Sequence, residues 1–175
     1  MKKVTMKDFR WLGKPQSWER TYKNLTLTVE GMLCLPQGPL LLAVSDDDFT
    51  LSLQTTTAPD GGFCGVCLYN TDECYTAVGR SKTNLLLESS SRSNRTRLTI
   101  PLPTEQENIE WHLDRKASEV RIGYAVPSEK RVEWVSSTTM AGMQGAISFG
   151  VFFSNHTNTA FQAGMHSLSY IKSEV

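Results

Sequence analysis

No stretch of this chain approaches the roughly 20 apolar residues that a membrane-crossing helix needs. The opening Met-Lys-Lys-Val runs into Lys7, Asp8 and Arg10 where a signal peptide would continue with an apolar segment. The expectation is a cytoplasmic protein with no membrane partner, in which the sequons at Asn24, Asn94 and Asn155 never meet glycosylation machinery. Net charge is also missing, since 18 Lys and Arg balance 18 Asp and Glu and the pI lies near 6.8. Without an overall positive field, nucleic acid is not an expected partner. Seven basic and two acidic residues fall in positions 1–23, and five against one in positions 80–97. These blocks read as a solvated terminus and a solvated loop.

Catalytic and metal-binding patterns are equally scarce. Cys64-Gly-Val-Cys67 has the spacing of half a zinc site, but its companion half is absent and residues three apart on a strand face opposite ways. Cys34, Cys64, Cys67 and Cys74 are therefore expected as free, mostly buried thiols, with no metal and no cofactor. Asp46-Asp-Asp48 lacks the alternating acids and glycine of a calcium loop and reads as a turn. His112, His156 and His166 stand far from any Gly-x-Ser-x-Gly element, and nothing in the sequence pairs them with a particular Ser or Cys. No catalytic residue is assigned.

What the chain does have is alternation of apolar and polar residues, the mark of half-buried strands. Leu25, Leu27 and Val29 alternate with Thr26, Thr28 and Glu30, and Phe49, Leu51 and Leu53 with Thr50, Ser52 and Gln54. Asp60-Gly61-Gly62 supplies a loop tip before a strand from Phe63 to Tyr69, which meets the Cys74–Gly79 strand at a polar turn over Asn70-Thr-Asp-Glu73. Leu85–Glu88 and Thr96–Ile100 flank a Ser/Arg/Asn-rich loop, with Pro101 and Pro103 ending the second strand. Ile109, Trp111 and Leu113 read as core positions, followed by the charged turn Asp114–Ser118 and the strand Val120–Val126. The pattern resumes at Val132 and Trp134, then passes through a small-residue segment with Gly142 and Gly145. A central apolar strand over Ala146–Phe153 and a last one over about Phe161–Ile171 complete it. Around a dozen strands with no helical period predict an all-β chain. The expected architecture is a two-sheet antiparallel β-sandwich of jelly-roll type, with residues 1–175 as a single domain.

Phe9-Arg-Trp11-Leu12 with Pro15 and Trp18, the strand Gly65–Tyr69, the strand Cys74–Gly79 and the segment Phe149-Gly-Val-Phe-Phe153 together resemble the concanavalin A-like lectin/glucanase superfamily. Within it they resemble a family of unknown function that includes enolase-regulation-type proteins. That resemblance implies the concanavalin A-like sandwich and a sugar-binding tendency. Ala77 and Arg80 or Ser81 stand where many relatives carry Lys and Glu.

Sugar sites need aromatic faces for pyranose rings and planar polar groups for hydroxyls. A non-catalytic carbohydrate-binding role is the leading expectation. Its saccharide is expected on a concave sheet containing Tyr75, with Arg80 and Trp11 or Trp18 at the rim and Tyr69 and Asn70 as neighbours. An intracellular protein-interaction module of the enolase-regulation type, with a protein partner or self-association, ranks second. A glycosidase-like enzyme ranks last. Its Glu-x-Asp-x-Glu strand signature is absent, and Asp46/Asp48 and Glu105/Glu107 are the carboxylate pairs left with that spacing.

Overall fold

The computed structural model describes residues 3–92, 94–139 and 145–174. Its strands are β1 (Arg10–Leu12), β2 (Trp18–Arg20), β3 (Leu25–Val29), β4 (Leu40–Ser45), β5 (Phe49–Thr56), β6 (Gly62–Thr71) and β7 (Cys74–Arg80). They continue as β8 (Asn84–Ser91), β9 (Asn94–Pro101), β10 (Asn108–Lys116), β11 (Glu119–Val126), β12 (Arg131–Thr139), β13 (Ile147–Asn155) and β14 (Phe161–Lys172). Two short 3-10 turns, Met6–Asp8 and Pro127–Glu129, complete the regular structure among the described residues. The first sheet runs β1-β4-β13-β6-β7-β8-β9 and the second β12-β11-β10-β5-β14-β3-β2, with antiparallel pairing at every ladder among the described residues. The expected all-β, two-sheet antiparallel sandwich is the observed fold.

Strand parity builds the core. On β5 Phe49, Leu51, Leu53 and Thr55 are buried while the residues between them are half-buried, and on β10 Ile109, Trp111 and Leu113 face the same interior. The Trp111 indole would strand a buried donor there, but its Nε1–H donates to Thr55 Oγ1 at 2.8 Å. Phe149 of the first sheet closes the interior against Phe49 at 4.7 Å between ring centres, with Phe9 edge-on at 6.2 Å.

β6 and β13 are buried on both faces along most of their length, which is why their sequences read as near-continuous apolar runs. Cys64, Val66 and Leu68 point to the inter-sheet core, whereas Phe63 and Cys67 belong to a second cluster on the outer face with Leu35, Leu40, Tyr75, Ala77, Leu86 and Phe152. Gly150, between Leu42 and Cys67 on that outer face, has no room for a side chain: a Cβ would meet the Leu41 carbonyl oxygen at 1.9 Å. The loop tip at Gly61 has φ +91°, a conformation that favours glycine.

Several local expectations differ from the fold. The Ser/Arg/Asn-rich segment is less of a loop than expected, because β8 runs on to Ser91 and β9 begins at Asn94, opposite it, with Ser89 and Ser90 paired on strand positions. The β6–β7 connection is shorter than Asn70–Glu73: the strand runs to Thr71, with Asn70 at a bulge between Tyr69 and Thr71. Arg115 does not sit in a solvated turn. It is 3% exposed and donates to the Ser45 carbonyl at 2.9 Å, since parity with Leu113 turns it inward. Gly142 lies outside the described residues.

Replacing Phe149 with alanine removes the aromatic that bridges the two sheets, and is expected to cost about 3–5 kcal/mol. Urea unfolding checks this: the midpoint should fall with the slope unchanged, and a midpoint like the parent's would contradict the packing described.

Candidate functional site

The outer face of the first sheet is the surface on which saccharide was expected. Register sets its rows: Val44, Ser148, Tyr69, Tyr75 and Ser90 lie side by side, and Arg10, Leu42, Gly150, Cys67, Ala77, Glu88 and Arg97 form the next row. The middle of this face is covered. Residues 30–39, between β3 and β4, cross it as a strap tied by the Leu33–Asn155 bridge and by Phe153 N–H donating to the Pro39 carbonyl at 3.1 Å. From the strap Leu35, 4% exposed, packs into the outer cluster beside Tyr75 and Ala77. Arg95 also donates to the Leu35 carbonyl.

Under the strap lies a charged group. Glu88 has a side chain only 2% exposed, and its Oε1 accepts from the Tyr75 hydroxyl at 2.7 Å and from Arg95 Nε and Nη2 at 2.9 and 2.6 Å. Three donors are what keep a buried carboxylate tolerable. Burial, and then the neighbouring Glu88, push the Tyr75 phenol up from its ordinary range.

The face opens toward β1. There a groove of about 730 Å³ is lined by Arg10, Trp11, Leu42, Val44, Asp46, Tyr69, Asn70 and Ser148, among others. Tyr69 is half-buried, and its hydroxyl donates to Asp72, which holds the ring in place. Burial and then that bond push its phenol up to about 12. Val44 is 61% exposed, an apolar surface in the Tyr69 row on the far side of Ser148.

The structure thus gathers three of the six expected binding residues, Trp11, Tyr69 and Asn70, around one groove. Trp18 lies behind it, edge-on to Trp11 at 5.7 Å, with Lys14 and Arg20 over its own ring. Tyr75 is the cross-strand neighbour of Tyr69 but is 3% exposed beneath the strap. Arg80 is not brought to this face at all. An odd number of residues from Tyr75, it points inward, is 4% exposed, and donates to the Thr104 carbonyl and to Gln106. Burial lowers its pKa. Arg10, Ser148 and Val44 were not singled out in the sequence. Their signal is register: each is the cross-strand partner of a residue in the Leu42 or Tyr69 row.

No protein-family model matches the chain, and no curated protein sequence matches it. Solved structures do. A functionally unknown protein from Saccharomyces cerevisiae superposes with a TM-score of 0.83 at 12% identity, covering 98% of this chain and 100% of that one. The GH43 protein BlXynB from Bacillus licheniformis gives a TM-score of 0.73 at 12% identity over 98% of this chain, which spans only 38% of that protein. The carbohydrate binding module CBM66 from Bacillus subtilis gives 0.57 at 12% identity, covering 93% and 95% of the two chains. What they share is the fold. The jelly-roll sandwich expected from the strand pattern, concanavalin A-like as the resemblance implied, is the architecture of these neighbours.

Two outcomes test the site geometry. Glu88→Ala leaves the buried Tyr75 hydroxyl without its acceptor, which should cost about 1–3 kcal/mol and speed amide exchange in the strap; unchanged exchange at residues 33–39 would contradict the tie described. For Tyr69 the folded-state ionisation lies near 12, above the ordinary value of about 10. The neutral phenol therefore adds stability that is fully present below about pH 10 and is lost as pH rises toward 12. Melting temperatures over that range should fall more steeply for the parent than for Tyr69→Phe, and parallel curves would argue against it.

Proposed function

We propose that this chain is a non-catalytic carbohydrate-binding β-sandwich whose ligand lies in the groove between Arg10 and Tyr69. One observation carries the reading: a half-buried, hydroxyl-anchored tyrosine ring and exposed apolar surface at Val44 sit among Arg10, Asp46, Asn70 and Ser148 in one open groove. The apolar face of a pyranose packs on the ring and on Val44, and its hydroxyls meet carboxylate, amide and guanidinium groups. The likeness to the module named CBM66 supports the choice of ligand class, and the likeness to a xylan beta-1,4-xylosidase from Bacillus halodurans makes xylo-oligosaccharides the first probes.

A glycosidase reading has less behind it. Asp46 and Asp48 precede β5, while the Glu107 carbonyl accepts from Thr57 N–H just beyond the far end of that strand. Eight residues at about 3.3 Å each separate the two acidic pairs by roughly 25 Å, against the roughly 5–9.5 Å between the two carboxyls of a glycosidase. Glu105 and Glu107 are also exposed, without the shielding that tunes a catalytic acid.

Titration calorimetry against a panel of plant and microbial oligosaccharides tests the proposal. Tyr69→Ala should weaken a bound saccharide by about 1–3 kcal/mol, while Tyr75→Phe, beneath the strap, leaves affinity unchanged. Binding that survives Tyr69→Ala, or no binding anywhere in the panel, would sink it.

A further inference from the structure

At the opposite end of β6 from Tyr69, six residues or roughly 20 Å along the strand, a cysteine, a histidine and an arginine converge. Cys34 leaves the strap half-buried, with its Sγ 3.2 Å from His156 Nδ1 and 3.7 Å from the Asn155 carbonyl oxygen. Arg97, from the exposed strand β9, reaches across the sheet. Its Nη2 lies 3.0 Å from His156 Nε2 and its Nη1 3.3 Å from Nδ1, with the guanidinium 5.9 Å from the centre of the Phe63 ring. Phe63 packs edge-on to the imidazole at 6.1 Å.

Arginine can only donate and faces both ring nitrogens, so we assign the lone pair to Nε2, the nearer of the two to the guanidinium. The proton of the neutral ring is then on Nδ1, aimed at the Cys34 sulfur, and the thiol hydrogen is left to the Asn155 carbonyl. Burial and then the Arg97 charge lower the His156 pKa, in keeping with a neutral imidazole.

We propose that Cys34, with His156 and Arg97, forms a reactive thiol site for small peroxides. An imidazole N–H held against the sulfur, with a guanidinium on the same ring, stabilises negative charge as it develops around the reacting sulfur and oxygen. The sulfur attacks one peroxide oxygen; the S–O bond forms as the O–O bond breaks. Sulfur is oxidised by two electrons, and with hydrogen peroxide the other oxygen leaves as water after taking the thiol proton, so thiol and peroxide become sulfenic acid and water. Arg97 offers donors to the departing oxygen while it carries negative charge.

The chain contains its own controls. Cys64 and Cys67 are buried on opposite faces of β6, where burial pushes both thiols up to about 12 and holds them protonated and unreactive. Cys74 is half-buried like Cys34, but among the described residues no histidine or arginine bonds to it.

The experiment treats the reduced full chain with hydrogen peroxide in the presence of dimedone and follows the adduct at each cysteine by peptide mass spectrometry. Cys34 should label at least about tenfold faster than Cys74. His156→Gln and Arg97→Leu should each bring Cys34 down to the Cys74 rate while a cooperative melting transition persists. Equal labelling of Cys34 and Cys74 in the parent chain would overturn the proposal, whether or not either variant folds. So would full Cys34 labelling in a folded Arg97→Leu protein.

Discussion

Leu35 seated on the outer face of the first sheet is the contact on which the arrangement of that surface depends. A sandwich needs each sheet to be apolar on one face only, yet here β6 and β13 are apolar on both. The second apolar face must be covered or it would expose Phe63, Phe152 and Leu86 to water. Residues 30–39 supply the cover, and burying a leucine side chain there contributes about 1.5–3 kcal/mol. The ties at Leu33, Pro39 and Arg95 fix where the strap lies. What remains open is then determined: the β1 side, where Arg10 and Tyr69 border the groove.

The same cover explains the placement of charge. Glu88 can be buried because Tyr75 and Arg95 donate to it, and Arg95 can serve both Glu88 and the Leu35 carbonyl because β9 is an edge strand whose side chains are free to reach inward. Arg97, two residues on and on the same face, reaches further to His156. Arg95 and Arg97, in what reads as a solvated basic block, are the means by which a fully exposed edge strand holds the outer face together.

Much of the fold is legible in the sequence because a period of two survives in β3, β5, β10 and β11, each with one face on the core. Cys64 and Cys67 divide between two faces as strand parity requires. The site is less legible for a reason of the same kind. Parity places Tyr75 with Ala77 and Gly79, but nothing local says that a leucine some forty residues earlier in the chain will lie over them. Arg80 follows Gly79 directly and so points to the other face. Strap coverage and cross-strand rows are properties of pairing between distant segments, and Arg10, Ser148 and Glu88 became visible only with the register.

The proposed saccharide site lies at the β1 side of the outer face, not at its covered centre. Backbone amide shifts recorded by NMR during titration with xylo-oligosaccharides measure place directly. The account predicts changes confined to β1, the end of β4 with Asp46, the β6–β7 turn around Asn70, and the start of β13. Changes centred instead on the strap, residues 33–39, or on β9 would contradict it.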